Sequence, residues 1–183
     1  MINSLRINKI ELPKNTFMKQ IFFIPIIIMT LMITSCETYS GEFREIENDH
    51  IEISLPDWLL ETDDLAPHAY YQFKSKYRNT YGIVVRTDKE NRTLEEYQKE
   101  GIGILRNYKE LTNLLVTDSV KIENSINLEL MGDMESEKLF YWHNTYESQG
   151  HFYQLVVWTR SYDRKQKYSE IIEKVIASFE MKD

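Results

Sequence analysis

The chain has 183 residues, in which 29 Asp and Glu side chains outnumber 22 Lys and Arg side chains and give a formal net charge of −7. An acidic surface repels phosphate groups, which argues against non-specific binding to nucleic acid and against electrostatic docking on anionic lipids. The sequence contains one cysteine, which excludes a disulfide within the chain, and its length suits a single domain.

Residues 18–36 have the layout of a bacterial secretory signal. Lys19 gives the segment a positive start, an apolar run follows over 21–33, and small residues lead to Cys36. The sequence Ile-Thr-Ser-Cys at 33–36 resembles the lipobox of bacterial lipoproteins, in which the signal is removed before the cysteine and the cysteine is acylated. We therefore predict a signal peptide over 1–35, cleavage between Ser35 and Cys36, and lipid attachment at Cys36.

The alternative for this segment is a transmembrane anchor that is never cleaved. Its apolar run is shorter than the roughly 20 residues that a membrane-spanning helix needs, and Pro25 interrupts it. Residues 1–17 have no pattern of their own, so Met18 is a candidate for the true initiator. After the signal, residues 36–45 are predicted to form a polar, lipidated tether and residues 46–183 a single domain.

Alternation of apolar and polar residues predicts the strands of the first half of the domain. One strand is predicted over 51–55, where Pro56 ends it, and a hairpin over 69–74 and 81–85.

A capping box marks the start of the first helix. Thr93 stands three residues before Glu96, so that each side chain can bond the backbone N–H of the other residue. Apolar residues continue at helical spacing, which predicts a helix from Leu94 to a point between residues 109 and 112. Gly101 and Gly103 are predicted to lie where the helix backbone approaches a sheet.

Four more strands are predicted in the second half of the domain. Strands at 114–122 and 126–130, with a bulge or bend at 132–133, precede a hairpin whose strands 139–146 and 152–158 flank a turn. Both faces of that hairpin are apolar, which predicts a position inside a sheet that is covered on both sides. One face is predicted to carry Leu139, Tyr141, Phe152, Val156 and Trp158, and the other Phe140, Trp142, Tyr153, Leu155 and Val157.

The last segment has the clearest helical period in the chain. It predicts an amphipathic helix that docks on an apolar surface through Tyr168, Ile171, Ile172, Val175, Ile176 and Phe179.

The order of these elements, together with motifs at 53–58, 94–97, 150–155 and 171–179, resembles the Mog1/PsbP-like fold and, within it, the bacterial DcrB-like lipoproteins. The resemblance implies an α+β domain, an α/β/α sandwich in which a central antiparallel sheet of about six to seven strands has helices on both sides. It also implies a binding or adaptor protein, and it brings no shared catalytic residues.

The four histidines are candidate metal ligands. The predicted hairpin places His143 and His151 on opposite faces of the sheet, so one ion cannot bind both. His50 and His68 could meet only if the first two strands were neighbours. Because no pair has the spacing of a zinc site, we expect no metal and no cofactor.

Four tyrosines are not required by the predicted core and form the candidate partner surface: Tyr70, Tyr77, Tyr146 and Tyr162. The alternative is that they cover the edges of an aromatic core. We predict a non-catalytic envelope lipoprotein, anchored to the bilayer, whose periplasmic or surface-exposed domain acts as a binding or assembly factor for another envelope protein. The alternative is an envelope hydrolase with a site of dispersed acids and histidines.

Overall fold

The computed structural model describes residues 42–75 and 77–182. The predicted signal peptide with Ser35 and the predicted lipidation site Cys36 lie outside these residues. In chain order, the described elements are β1 (Phe43–Glu47), β2 (Ile51–Pro56), β3 (Leu60–Glu61), β4 (Tyr71–Ser75), β5 (Thr80–Asp88), α1 (Leu94–Arg106), β6 (Leu111–Ile122), β7 (Ser125–Met134), β8 (Glu137–Glu147), β9 (His151–Arg160), α2 (Tyr162–Ala177) and β10 (Glu180–Met181).

Seven strands form the main sheet, in the order β3-β4-β5-β9-β8-β7-β6, and every neighbouring pair is antiparallel. The predicted central antiparallel sheet of about six to seven strands is therefore confirmed. A smaller antiparallel sheet, in the order β1-β2-β10, was not predicted. It contains the strand predicted at 51–55, which is consequently not a neighbour of β4.

The small sheet begins close to the predicted tether. Strand β1 begins at Phe43, within the residues 36–45 that the sequence predicts as the tether. The sequence does not predict this strand, because its two apolar residues, Phe43 and Ile46, are three positions apart and give no alternation of apolar and polar residues. Backbone pairing with β2, from Phe43 opposite Pro56 to Glu47 opposite Glu52, holds β1 in place.

The hairpin of β8 and β9 separates two hydrophobic clusters, as its two apolar faces predict. The α1 face of the main sheet carries Leu139, Tyr141, Phe152 and Val156, which are buried with Leu94 and Tyr97 of α1. The α2 face carries Phe140, Trp142, Tyr153, Leu155 and Val157, which are buried with Tyr168, Ile172 and Val175 of α2. Helices therefore cover both sides of the sheet, and the α+β sandwich is confirmed.

Helix α1 begins as the capping box predicts. The backbone N–H of Glu96 donates to Thr93 Oγ1 at 3.2 Å, and the backbone N–H of Thr93 donates to Glu96 Oε2 at 2.9 Å. The helix ends at Arg106, earlier than predicted, because the chain turns at Tyr108 to start β6 at Leu111.

The two glycines of α1 have different surroundings. A Cβ atom on Gly101 would lie 2.5 Å from Gln154 Nε2 and 3.0 Å from His143 Nε2, so this glycine does allow a close approach to the sheet. A Cβ atom on Gly103 would meet nothing within 4 Å. The predicted close approach at Gly103 is therefore wrong.

The predicted irregularity at Gly132 and Asp133 lies instead on the partner strand. Strand β7 pairs with β8 without a break through this point, whereas β6 has register shifts between Thr112 and Leu115 and between Val116 and Asp118. Each shift inserts one extra residue into β6. These bulges change which side chains of β6 face α1 and which face α2.

Candidate functional site

A groove lies on the α2 face of the main sheet, between α2 and strands β6, β7 and β8. Its volume is about 500 Å³. We call it the α2–β6 groove, and its lining includes Asp118, Val120, Ile122, Asn127, Glu129, Trp142, Asn144, Tyr146, Glu173, Ile176 and Phe179.

The outer wall of the groove is apolar and open to solvent. After the second bulge, β6 pairs regularly with β7, with Val120 opposite Asn127 and Ile122 opposite Ser125. Because alternate residues of a strand share a face, Val120 and Ile122 both point to the α2 face, where they are 49% and 59% exposed. Ile176 of α2 is half-buried on the other side of the groove.

The floor of the groove contains a buried hydrogen-bond donor and a buried acceptor without partners among the described residues. They are Trp142 Nε1 and Asn127 Oδ1. Trp142 is only 4% exposed. Leaving a buried polar group unpaired costs about 1–3 kcal/mol, so this floor is less stable than a fully paired or fully apolar surface would be. The neighbouring Asn144 differs, because its amide donates to the carbonyl of Leu155 at 3.4 Å.

The charged residues that line the groove are all acidic. Asp118, Glu129 and Glu173 contribute carboxylates, and none of the described lining residues is basic. Glu129 accepts a bond from Lys165 Nζ at 2.8 Å. Asp118 accepts only the backbone N–H of Ser119, at 2.8 Å, and no ion pair joins Asp118 or Glu173 to a described cation.

The four tyrosines predicted as a partner surface do not lie together. Tyr70 donates to Asn48 Oδ1 at 3.1 Å and packs on His50, with 5.5 Å between ring centroids. Tyr77 and Tyr162 are 92% and 60% exposed, and Arg164 of α2 donates to the carbonyl of Tyr77 at 3.2 Å. Of the four tyrosines, Tyr146 lines the groove.

Tyr146 is also part of the core rather than a free surface residue. Its ring packs on Phe179 with 5.0 Å between centroids, and burial raises the pKa of its hydroxyl above the usual value.

None of the four histidines lines the groove. His143 lies under α1 on the opposite face of the sheet, where burial lowers its pKa from 6.5 to about 4. His151 lies 3.3 Å from Asp88 and accepts a bond from Arg86 at 2.7 Å. Within residues 42–75 and 77–182, no group of three or more His, Cys, Asp or Glu side chains could hold a metal ion.

Sequence reasoning missed most of the groove. It assigned Trp142 to a core face, which is correct, and treated Val120 as part of an alternating strand. Asn127 could have indicated a polar site on the α2 face of β7, because it is a polar residue between Ile126 and Leu128, which lie on the other face.

The sequence matches no protein-family model and no curated protein. Several solved structures nevertheless share its fold. Mog1p, a Ran-binding protein of Saccharomyces cerevisiae, matches with a TM-score of 0.59 and 9% identity over 79% of this chain and 97% of that chain. CyanoP, the PsbP of Synechocystis, matches with a TM-score of 0.58 and 15% identity over 80% and 97%.

A third similar structure is LpqN of Mycobacterium tuberculosis, which is involved in cell envelope biogenesis. It matches with a TM-score of 0.50 and 10% identity over 79% of this chain and 87% of that chain. The chain therefore has a Mog1/PsbP-like fold, as its motifs indicate. Among the described residues, no helix is both long and apolar enough to cross a membrane.

Proposed function

We propose that the chain is a non-catalytic, lipid-anchored envelope protein that binds another envelope protein through the α2–β6 groove. The observation that carries this proposal is the floor of the groove, where Trp142 Nε1 and Asn127 Oδ1 are buried without partners beneath exposed aliphatic side chains. A bound partner would cover the apolar wall and supply the missing hydrogen bonds.

The alternative of an envelope hydrolase requires acids and histidines that converge in one cleft. The groove has carboxylates from Asp118, Glu129 and Glu173, but the buried His143 lies on the other face of the sheet, beside an amide rather than a carboxylate. This arrangement favours binding over hydrolysis.

The likeness to binding proteins gives further support. Mog1p is a Ran-binding protein and LpqN is involved in cell envelope biogenesis, and each has the fold of this chain. By analogy, the present fold would serve as a platform for a protein partner in the envelope.

Attachment to the membrane would come from lipid on Cys36 after removal of residues 1–35. The acidic balance of the chain offers no attraction to anionic headgroups. Two or more acyl chains, at about 0.8 kcal/mol per buried CH₂ group, anchor a protein stably where one chain alone is marginal. The proposed place is therefore the bacterial cell envelope, with the domain on the periplasmic side or at the surface.

Site-specific photocrosslinking in cells tests the proposed partner site. A photoreactive residue is placed at Val120 or Ile122 in the full chain, and Ile104 serves as the matched control because it is aliphatic, 73% exposed and on α1. We expect one envelope protein to be crosslinked from the groove positions and not from Ile104. An absence of adducts at Val120 and Ile122, or equal adducts at Ile104, would contradict the proposal.

A further inference from the structure

We infer that the occupant of the α2–β6 groove is an extended peptide segment of the partner protein that carries both aliphatic and Lys or Arg side chains. This inference rests on the proposed function and adds the chemistry of the ligand. Three properties of the groove support it: its charge, its unpaired polar atoms and the spacing of its apolar wall.

The charge of the groove favours a cationic ligand. Asp118 and Glu173 have no ion pair with a described cation, whereas Glu129 already binds Lys165. A bound anionic or purely apolar chain would leave these two carboxylates partly desolvated and unpaired, which is unfavourable. A Lys or Arg side chain of the ligand would pair with them.

The unpaired atoms of the floor match the polar groups of a peptide backbone. Trp142 Nε1 can only donate and Asn127 Oδ1 can only accept, and each peptide unit offers one acceptor and one donor. The side chain of Asn127 is half-buried, so rotation of its amide would open the floor to such a unit. An acyl chain would leave both atoms unpaired, so the inference favours a peptide over a lipid.

The apolar wall has the period of an extended chain. Val120 and Ile122 are two residues apart on β6, and the side chains of an extended peptide repeat on one side at the same interval. Aliphatic side chains on that side of the ligand would therefore contact Val120, Ile122 and Ile176. Asp118 precedes Val120 in the same row of β6, and Glu173 lies one turn before Ile176 on α2, so a cationic side chain at that end of the ligand would reach both carboxylates.

Peptide titration tests this chemistry. The probe is a short, capped peptide of Lys and Val residues, added to the isotope-labelled full chain in a non-ionic detergent. Two matched peptides replace Lys by Glu or Val by Ser. We expect the Lys-Val peptide to shift the indole N–H resonance of Trp142 in a saturable manner, and the Glu-Val peptide to bind about tenfold more weakly or less. The Trp142→Phe variant identifies that resonance.

Two pairs of substitutions locate the charge effect. Asp118→Asn with Glu173→Gln should weaken binding of the Lys-Val peptide about fivefold, because two attractive contacts are lost. Asp163→Asn with Glu170→Gln removes the same charge from exposed positions of α2 outside the groove lining, and should change the affinity less than about twofold.

The outcomes separate this inference from the proposed function. The inference would be overturned if the Glu-Val or Lys-Ser peptide bound as tightly as the Lys-Val peptide, or if the Trp142 resonance did not move at saturation. Either result would overturn it even if the groove crosslinks a partner in cells. Selective binding of the Lys-Val peptide would support the inference. If the peptide binds selectively but no groove-specific crosslinks form in cells, only the proposed function is overturned.

Discussion

The side-chain amide of Gln98 donates to Nδ1 of His143 at 2.8 Å, which joins α1 to the centre of the main sheet. The hydroxyl of Thr145 donates in turn to the side-chain oxygen Oε1 of Gln98. His143 is 1% exposed, and no carboxylate contacts it. The bond from Gln98 needs an unprotonated nitrogen, so the buried imidazole is neutral in this network.

The first prediction concerns the pH dependence of stability. Burial lowers the pKa of His143 to about 4 in the folded chain, against about 6.5 when the chain is unfolded. The unfolded chain therefore binds a proton that the folded chain does not. The stability due to this difference is fully present above pH 6.5 and is lost as the pH falls toward 4, by roughly 3 kcal/mol in total.

Urea unfolding at several pH values between 7 and 4.5 measures this loss. The His143→Gln variant should have a smaller fall in the free energy of unfolding over the same range, whatever its stability at neutral pH. His68→Gln is the matched control, because His68 is exposed, and it should retain the pH dependence of the parent chain. A parallel pH dependence for His143→Gln and the parent would contradict the assignment.

A second prediction uses the two glycines of α1. Gly101→Ala places a methyl group 2.5 Å from Gln154 Nε2, an atom that also donates to the carbonyl of Tyr97 at 3.4 Å. The buried Gln154 side chain would have to move, so we expect a loss of about 1–2 kcal/mol in the free energy of unfolding. Gly103→Ala meets open space and should raise stability by up to about 1 kcal/mol. Thermal unfolding of the two variants checks the opposite signs.

The difference between the hairpin and the groove explains how far the sequence predicts this structure. The hairpin of β8 and β9 could be assigned to the interior because its alternation is regular on both faces, and pairing about one turn determines its register. The groove depends on two bulges in β6, which no local sequence pattern marks. After them, Val120 and Ile122 face a gap beside α2 and remain exposed, although their alternation is typical of a half-buried strand.

A third prediction compares two asparagines that lie directly opposite each other on β7 and β8. Asn127 has a buried oxygen without a partner, whereas Asn144 donates to the carbonyl of Leu155. Asn127→Val removes an unpaired acceptor and adds a residue that favours strands, so it should raise the free energy of unfolding by about 1 kcal/mol. Asn144→Val should lower it by a similar amount. Urea denaturation measures both.

The same pair of variants also tests the groove. If Asn127 binds the partner, Asn127→Val should lower the affinity for the Lys-Val peptide while it raises the free energy of unfolding. If Asn127 had only a structural role, its substitution would lower the free energy of unfolding and the peptide affinity together, and the two would not change in opposite directions. Unchanged peptide affinity in a stabilised Asn127→Val chain would contradict a role for this amide in binding.

The last prediction concerns the anchor. Cys36→Ser removes the thiol to which lipid would be attached, and the acidic chain has no other attraction to anionic headgroups. We expect the parent chain to float with membranes and to carry acyl groups on an N-terminal Cys36, as measured by mass spectrometry of membrane extracts. The Cys36→Ser chain should lack this modification and the cut before residue 36. Ser35→Ala, which keeps a small residue before the cysteine, should be processed normally. A parent chain with an intact Met1 and no lipid would contradict the signal, the cleavage site and the anchor together.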